Sequence, residues 1–164
     1  METPRDKAGL LARIERSWAA LDGMVGAASE ARLTAAGPDG GWSVKDHLAH
    51  LSAWEGRLLA FLEGRGLAEH FGLDGATLRD LGTDGLNARL TERDRGRPLA
   101  DVLAGWRETH RRVLAALERA ELTEPVPDPD DPGDREPLLG SGVLDGNTYE
   151  HYEEHGEAIR RLLG

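Results

Sequence analysis

The sequence predicts an all-α protein, a four-helix bundle with a long crossover and an acidic, proline-rich loop before its last helix. The apolar residues are mostly leucine and alanine, which lose little side-chain entropy in a helix. They recur at helical spacing in four segments, which glycine- and proline-rich stretches separate. Alternation typical of a strand never lasts beyond a few residues. Four amphipathic helices bury their apolar faces around a shared core, so we expect one bundle domain over residues 1–164.

The first helix is predicted over residues 3–28. Thr3 is a suitable N-cap, and Pro4 suits the first helical position because the N–H that it lacks is not needed there. The stretch AAGPDGG, residues 35–41, ends the helical pattern with a proline and three glycines. The predicted inner face consists of Leu10, Leu11, Ile14, Trp18, Leu21 and Val25.

The second helix begins after Ser43, a natural N-cap with Asp46 three residues further on as a variant of the capping box. Gly64 and Gly66 are expected to end it. Its apolar stripe consists of Val44, Leu48, Leu51, Leu58 and Leu62. Glu55 falls within this stripe, where a carboxylate is costly to bury unless it is paired. Glu55 is therefore either a buried polar tie between helices or a functional group such as a general base.

The next segments follow the same rules. Residues 64–97 are rich in glycine, with a short helix predicted over residues 83–93. A third long helix is predicted over residues 98–121. The stretch TEPVPDPDDPGDREP, residues 123–137, holds five prolines and six acids and is predicted to lack regular structure. The inner face of the third helix is predicted to carry Leu99, Val102, Leu103, Trp106, His110, Val113 and Leu117.

The last helix is predicted to open at Asn147, with Glu150 at the third helical position. It carries His151 and His155, four residues apart, on the same face as Ile159. Two histidines so placed can share one metal ion, although buried carboxylates or tyrosines can also satisfy them. A third ligand has to come from another helix.

The second helix offers His47 and His50 as that third ligand, and the third helix offers His110. At 100° per residue, His47 lies closer to the apolar stripe than His50, so the pattern alone favours His47 or neither. His110 is more typical of a packed, hydrogen-bonded histidine. The tryptophans, Trp54 and Trp106 among them, are more typical of a core than of a ligand platform.

The composition excludes several classes of protein. Thirty acidic against twenty basic residues give a net charge of −10, which repels a phosphate backbone and makes nucleic acid an unfavourable partner. Without cysteine there is no disulfide, zinc–thiolate site or thiol nucleophile. The sequence has no apolar run of about 18 residues, so no membrane-spanning helix is predicted. The N-terminus lacks the apolar core of a secretory signal, so we expect a cytoplasmic protein. We expect it to be a monomer or a homodimer.

Two long segments, WSVKDHLAHLSAWE (residues 42–55) and NTYEHYEEH (residues 147–155), resemble motifs of the ClbS/DfsB family in the DinB-like four-helix-bundle superfamily. Residues 86–106 also look similar to the middle region of that family. The resemblance implies a DinB-like bundle in which His50, His151 and His155 hold a divalent metal ion such as Zn, Ni, Fe or Mn. The family usually has an apolar residue at position 47, so His47 is expected to support a ligand or to contact the substrate.

The same resemblance implies a function in self-resistance. A family member that confers resistance to the genotoxin colibactin is described as a cyclopropane hydrolase, so the first expectation is a hydrolase that opens an electrophilic small-molecule warhead. A metal-dependent thiol transferase of the mycothiol or bacillithiol type, or a non-catalytic sequestration protein, is the alternative. In the hydrolase, Glu55 is expected to orient water and Tyr152 to protonate or polarise the substrate. The residues expected around the substrate are Trp54, Trp106, Asn147, Tyr149 and His47.

Overall fold

Helices dominate the computed structural model, which describes residues 4–164 apart from the side chain of Asp39. In chain order the elements are α1 (Lys7–Ala27), α2 (Glu30–Thr34), a 3₁₀ turn (Pro38–Gly40), α3 (Val44–Leu62), α4 (Leu67–Phe71), α5 (Gly75–Asp94), α6 (Leu99–Arg119), β1 (Pro125–Pro127), β2 (Arg135–Pro137), α7 (Gly142–Asp145) and α8 (Tyr149–Leu163).

Four long helices form the bundle that the periodicity predicts. Helix α1 packs against α6 and α8, and α3 packs against the same two helices and closes the ring. The apolar faces predicted for these helices meet at its centre, where burial of each large aliphatic side chain contributes about 1.5–3 kcal/mol. The most deeply buried members of this core are Leu10, Ile14, Leu21, Val44, Leu48, Leu51, Leu58, Val102, Trp106, Val113, Leu117, Tyr149, Tyr152 and Ile159. Within residues 4–164, no helix is both long and apolar enough to cross a bilayer.

The start of α1 differs from the prediction. The helix begins at Lys7, and Asp6 is its N-cap, with a carboxylate oxygen that accepts a hydrogen bond from the Gly9 N–H at 2.8 Å. Pro4 therefore precedes the helix and does not occupy its first turn. Thr3, the predicted cap, lies outside the described residues. An aspartate satisfies the exposed N–H groups of a first turn as well as a threonine does.

The start of α3 is the predicted one and sets the position of two histidines. The Ser43 hydroxyl accepts from the Asp46 N–H at 3.2 Å, and the Asp46 carboxylate accepts from the Ser43 N–H at 2.9 Å. This reciprocal capping box fixes where the helix begins. His47 and His50 consequently lie in the first two turns of α3, near one end of the bundle.

Helix α5 contains the short helix predicted over residues 83–93 and extends it towards the N-terminus. The helix is broken at Gly82, whose φ of 59° and ψ of −173° are not helical. Positive φ is strained for a residue with a side chain, so the break depends on glycine. The second half of α5 packs against α3, where the Trp54 Nε1–H donates to the Asn87 side-chain oxygen at 3.1 Å.

The prediction that residues 123–137 lack regular structure is wrong for six of them. Strands β1 and β2 pair as a short antiparallel hairpin, with Val126 opposite Glu136. Proline lacks the N–H that a strand ladder needs, but the residues between the prolines here have an N–H that can donate. The Asp128 N–H, for example, donates to the Asp134 carbonyl at 3.0 Å.

The loop between β1 and β2 is anchored to the bundle by Asp130. Its carboxylate accepts from the Leu67 N–H at 2.9 Å and from the Arg57 guanidinium at 3.1 Å. A Cβ atom at Gly66 would lie 2.3 Å from an Asp130 carboxylate oxygen, so this contact requires glycine. The loop thereby caps the first turn of α4.

The last helix begins one residue later than predicted. Helix α8 starts at Tyr149, and Asn147 does not cap it. The Asn147 amide instead donates to the Val143 carbonyl at 2.6 Å, and the Thr148 hydroxyl donates to the Leu144 carbonyl at 2.8 Å. Both side chains satisfy carbonyls of the preceding short helix α7, which the sequence pattern did not reveal.

Candidate metal centre and cavity

Four histidines meet where the beginning of α3 faces the beginning of α8. His47 and His50 come from α3, and His151 and His155 come from α8. The Nε2 atoms of His50 and His151 are 3.0 Å apart, and the Nδ1 atoms of His47 and His155 are 2.7 Å apart. The two histidines on α3 are three residues apart and the two on α8 are four apart, so both histidines of each helix face the other helix.

Three of these histidines are close enough to bind one ion together. One ligand nitrogen from each of His50, His151 and His155 lies within 4.8 Å of the other two. Three imidazoles on two packed helices are a common ligand set for a divalent transition metal. The structure therefore brings together the three residues that the family resemblance selected, although the angular pattern alone had favoured His47.

The three imidazoles are neutral at pH 7, which is the form that binds metal. Burial, followed by repulsion from His151 and His47, lowers the pKa of His50 to about 3. Burial lowers the pKa of His151 to about 4. Burial, followed by repulsion from its histidine neighbours, lowers the pKa of His155 to about 2. Protons therefore do not compete with a metal ion near neutral pH.

Hydrogen bonds within the described residues do not satisfy this cluster. The Nδ1 atoms of His50 and His151 are buried and have no partner there. The two facing Nε2 atoms can share only one proton between them, so one ring cannot be a donor in that contact. Buried, unpartnered ring nitrogens cost about 1–3 kcal/mol each. An ion that accepts the lone pairs of both Nε2 atoms removes the competition for that single proton, so the residues present fit a metal.

A cavity of about 460 Å³ lies against the histidines. Two tryptophans give it aromatic walls, and polar side chains from α5, α8 and the segment before α8 complete it. None of the described lining residues is a lysine or an arginine. The lining consists of Trp42, His50, Trp54, Thr83, Asn87, Gly146, Asn147, His151, Glu154 and His155.

Of the five predicted substrate-contacting residues, Trp54 and Asn147 line this cavity and the other three do not. His47 lies outside the lining, where its Nδ1 atom contacts His155. Trp106 is 0% exposed and packs against Trp18, with ring centroids 4.9 Å apart. Tyr149 is 1% exposed and lies beneath the Arg13 guanidinium, 4.0 Å from its ring centroid. The large apolar area of these two rings is buried in the bundle core, so the structure does not bring them to the cavity.

The predicted catalytic pair, Glu55 and Tyr152, lies together but is not part of the cavity lining. The Tyr152 hydroxyl donates to Glu55 Oε1, and His110 Nδ1 lies 3.3 Å from the same oxygen. Glu55 is 0% exposed, and burial raises its pKa although hydrogen bonds from His110 and Tyr152 oppose this effect. Burial, and then the nearby Glu55 carboxylate, raises the pKa of Tyr152. The three side chains join α3, α6 and α8.

Five lining residues were not identified from the sequence: Trp42, Thr83, Asn87, Gly146 and Glu154. The sequence could have predicted Glu154, because it lies three residues after His151 and therefore on the same helical face. Trp42 comes directly before the N-cap of α3 and so lies close to His47 and His50 in sequence. Thr83 and Asn87 follow the break of α5 at Gly82, and periodicity does not reveal that this part of α5 reaches the cavity.

Comparison with known proteins places this geometry in a family. The chain has the fold of the colibactin self-resistance protein ClbS, solved in complex with a double-stranded DNA, with a TM-score of 0.72 at 18% identity over 98% of this chain and 97% of ClbS. A crystal structure of an uncharacterised protein from Escherichia coli UTI89 gives a TM-score of 0.69 at 14% identity, over 98% and 94% of the two chains. No curated protein sequence matches the chain significantly. Residues 13–156 match the family model of the DinB superfamily, so this four-helix bundle belongs to the DinB superfamily.

Proposed function

We propose that the protein is a self-resistance protein that hydrolyses a reactive small molecule carrying a cyclopropane-type electrophile. The observation that carries the proposal is the convergence of three neutral imidazoles on a 460 Å³ cavity with aromatic walls. The fold shared with the colibactin self-resistance protein ClbS supports the protective role. The proposed ligands of a divalent ion are His50, His151 and His155.

The cavity suits a substrate with a flat, conjugated part. Trp54 is held by the Asn87 side chain and by an edge-on contact with Phe71, whose ring centroid is 5.7 Å away. A fixed indole offers a stacking surface that costs little entropy on binding. The Asn147 amide nitrogen is already bonded to Val143, which leaves its carbonyl oxygen to accept a hydrogen bond from the substrate.

The cavity also carries the groups that hydrolysis needs. A divalent ion bound by the three histidines would supply a Lewis acid there. Glu154 is the single carboxylate among the described lining residues, and we assign it the removal of a proton from the attacking water. Glu55 and Tyr152 do not touch the cavity, so their proposed contribution is to hold α8, and with it His151, in place.

Apart from the proposed ion, the lining within residues 4–164 offers no positive charge to a substrate or cofactor with several carboxylates. Among the described lining residues there is one carboxylate and neither lysine nor arginine. A thiol cofactor with several carboxylates would find no cationic side chain there to pair with it. The hydrolase is therefore favoured over a transferase that uses an anionic thiol.

The experiment uses spiro[2.5]octa-4,7-dien-6-one, in which a dienone activates a cyclopropane that shares one carbon with it. Water attacks a ring methylene, the strained C–C bond breaks, and its electron pair passes to the dienone oxygen, which takes up a proton. The product is 4-(2-hydroxyethyl)phenol. We expect many turnovers by the metal-loaded wild-type protein, and a rate at least about 100-fold lower in His50→Leu and His155→Leu.

The same experiment separates the alternatives. His70→Leu removes a half-buried imidazole on α4, outside the histidine cluster, and should leave the rate unchanged. Dienone protected one-to-one with no phenol released would contradict hydrolysis and indicate sequestration. A product that appears only with added low-molecular-weight thiol, and contains that thiol, would identify a transferase.

A further inference from the structure

His47 lies beside the three proposed metal ligands and pairs with one of them. Its Nδ1 atom is 2.7 Å from the Nδ1 atom of His155, a hydrogen-bond distance. The ring of His47 is also packed edge-on against Trp42, with centroids 5.2 Å apart. Trp42 in turn lies near both His50 and His155, which keeps the imidazole of His47 in place.

The contact between the two Nδ1 atoms has only two protonation patterns when both rings are neutral. Either His155 carries its proton on Nδ1 and donates to His47, or His47 donates to His155. In the second pattern His155 carries its proton on Nε2, which then has no lone pair for a metal. Because Nδ1 of His155 is engaged with His47, Nε2 is the nitrogen available to the three-histidine site.

The other two proposed ligands have no comparable support. The Nδ1 atoms of His50 and His151 are buried without a partner among the described residues. A histidine that binds metal through one nitrogen is normally oriented by a hydrogen bond from the other, and loss of that bond weakens metal binding about 10–100-fold. Of the three proposed ligands, only His155 has such a bond to a side chain among residues 4–164 as described.

We propose that His47 is a positioning residue, which accepts a hydrogen bond from Nδ1 of His155 and thereby directs the lone pair of His155 Nε2 at the ion. This inference rests on the proposed metal centre. The acceptor is an uncharged imidazole where many metal sites use a carboxylate, so it orients the ligand without adding negative charge. The ion would keep more of its positive charge for polarising a substrate.

The first test measures Co²⁺ affinity by competition with a chelator, and the visible spectrum of the Co²⁺ protein. His47→Leu removes the acceptor, and we expect its dissociation constant to rise about 10–100-fold, with one ion per chain and the same absorption pattern. His47→Gln keeps an oxygen that can accept from His155, and should recover affinity to within a few-fold of wild type. His70→Leu is the control for loss of a half-buried imidazole elsewhere.

A second test reads the proton position directly. In the Zn²⁺-loaded protein with ¹⁵N-labelled histidine, Nδ1 of His155 should show the shift of a protonated ring nitrogen coupled to its hydrogen. This signal should change in His47→Leu and return towards the wild-type value in His47→Gln. A structural role that only preserves the fold would leave it unchanged, and circular dichroism spectra verify that both variants are folded.

The outcomes distinguish this inference from the proposed function. A wild-type protein that binds no Co²⁺ would refute the metal centre and the role of His47 with it. Wild-type affinity in His47→Leu would refute the positioning role alone. A His47→Leu spectrum as altered as that of His155→Leu would show that His47 is itself a ligand, which also overturns the inference.

Discussion

At the scale of single residues, Glu55 shows what a buried carboxylate does in this bundle. The sequence left two roles open, a polar tie or a general base. The structure places Glu55 against the Tyr152 hydroxyl and His110, at the centre of three helices and away from the cavity. A carboxyl group so buried is more stable in its protonated form, and its raised pKa reflects this.

Replacement of Glu55 by glutamine should therefore change the pH dependence of stability. In the wild type the folded protein holds the proton of Glu55 above pH 4.5 and the unfolded chain does not, so stability falls as pH rises towards the folded pKa. Glu55→Gln lacks this loss. Between the unfolded and the folded pKa of Glu55, the free energy of unfolding of Glu55→Gln should rise relative to that of the wild type by up to about 1.4 kcal/mol per pH unit.

Urea unfolding of both proteins between pH 5 and 8 measures this gain. Glu153→Gln, on α8, is the matched control: burial raises the pKa of Glu153, but hydrogen bonds from Arg13 and Ser17 outweigh it and lower the pKa. The free energy of unfolding of Glu153→Gln should therefore change with pH in parallel with that of the wild type over this range. Parallel profiles for Glu55→Gln as well would show that Glu55 is ionised in the folded protein.

The sequence predicts part of the histidine cluster. The spacing of His151 and His155 predicts their shared face, and the structure brings them together. Helix angles favoured His47 over His50, but both positions face α8, where His47 contacts His155 and His50 contacts His151. The resemblance to a family selected His50, for which the angular pattern gave no support.

At the scale of elements, local capping rules predicted the helices better than the connections. The capping box of Ser43 and Asp46 is present as predicted, because both partners lie within one turn. Asn147 fails as a cap because α7 offers it a carbonyl that the pattern did not show. The proline-rich loop contains a hairpin whose contact with the bundle depends on Asp130, far along the chain from its partners Arg57 and Leu67.

Loss of this anchor should destabilise α4 and the cavity wall behind it. Asp130→Ala removes the acceptor for the Leu67 N–H and leaves the guanidinium of Arg57, which is 6% exposed, without its carboxylate partner. We expect the free energy of unfolding to fall by about 1–3 kcal/mol. Tryptophan fluorescence should also change, because Phe71 of α4 supports Trp54.

Denaturant unfolding with Asp134→Ala as control tests this role. Asp134 lies in the same acidic loop and is exposed, and its replacement should change stability by less than about 0.5 kcal/mol. Equal effects of the two substitutions would mean that the loop is not anchored through Asp130.

At the scale of the whole molecule, the all-α bundle was predictable because its apolar periodicity is strong in four separate segments. The cavity was only partly predictable. Its walls come from α3, α5, α8 and the residues before α3 and α8, and only tertiary packing shows that Trp54 and Asn147 reach it while Trp106 and Tyr149 do not. ClbS was solved with double-stranded DNA. The net charge of −10 of this chain still predicts weak affinity for nucleic acid.

The most direct measurement is the metal content of the purified protein after equilibrium dialysis against Zn²⁺ or Co²⁺. The wild type should bind one ion per chain, and His50→Leu, His151→Leu and His155→Leu should each lose it. Affinity should stay nearly constant from pH 8 to pH 6, because the pKa values of the three histidines are lowered to between about 2 and 4. A wild type that retains no ion, or variants that all retain it, would contradict a metal centre built by α3 and α8.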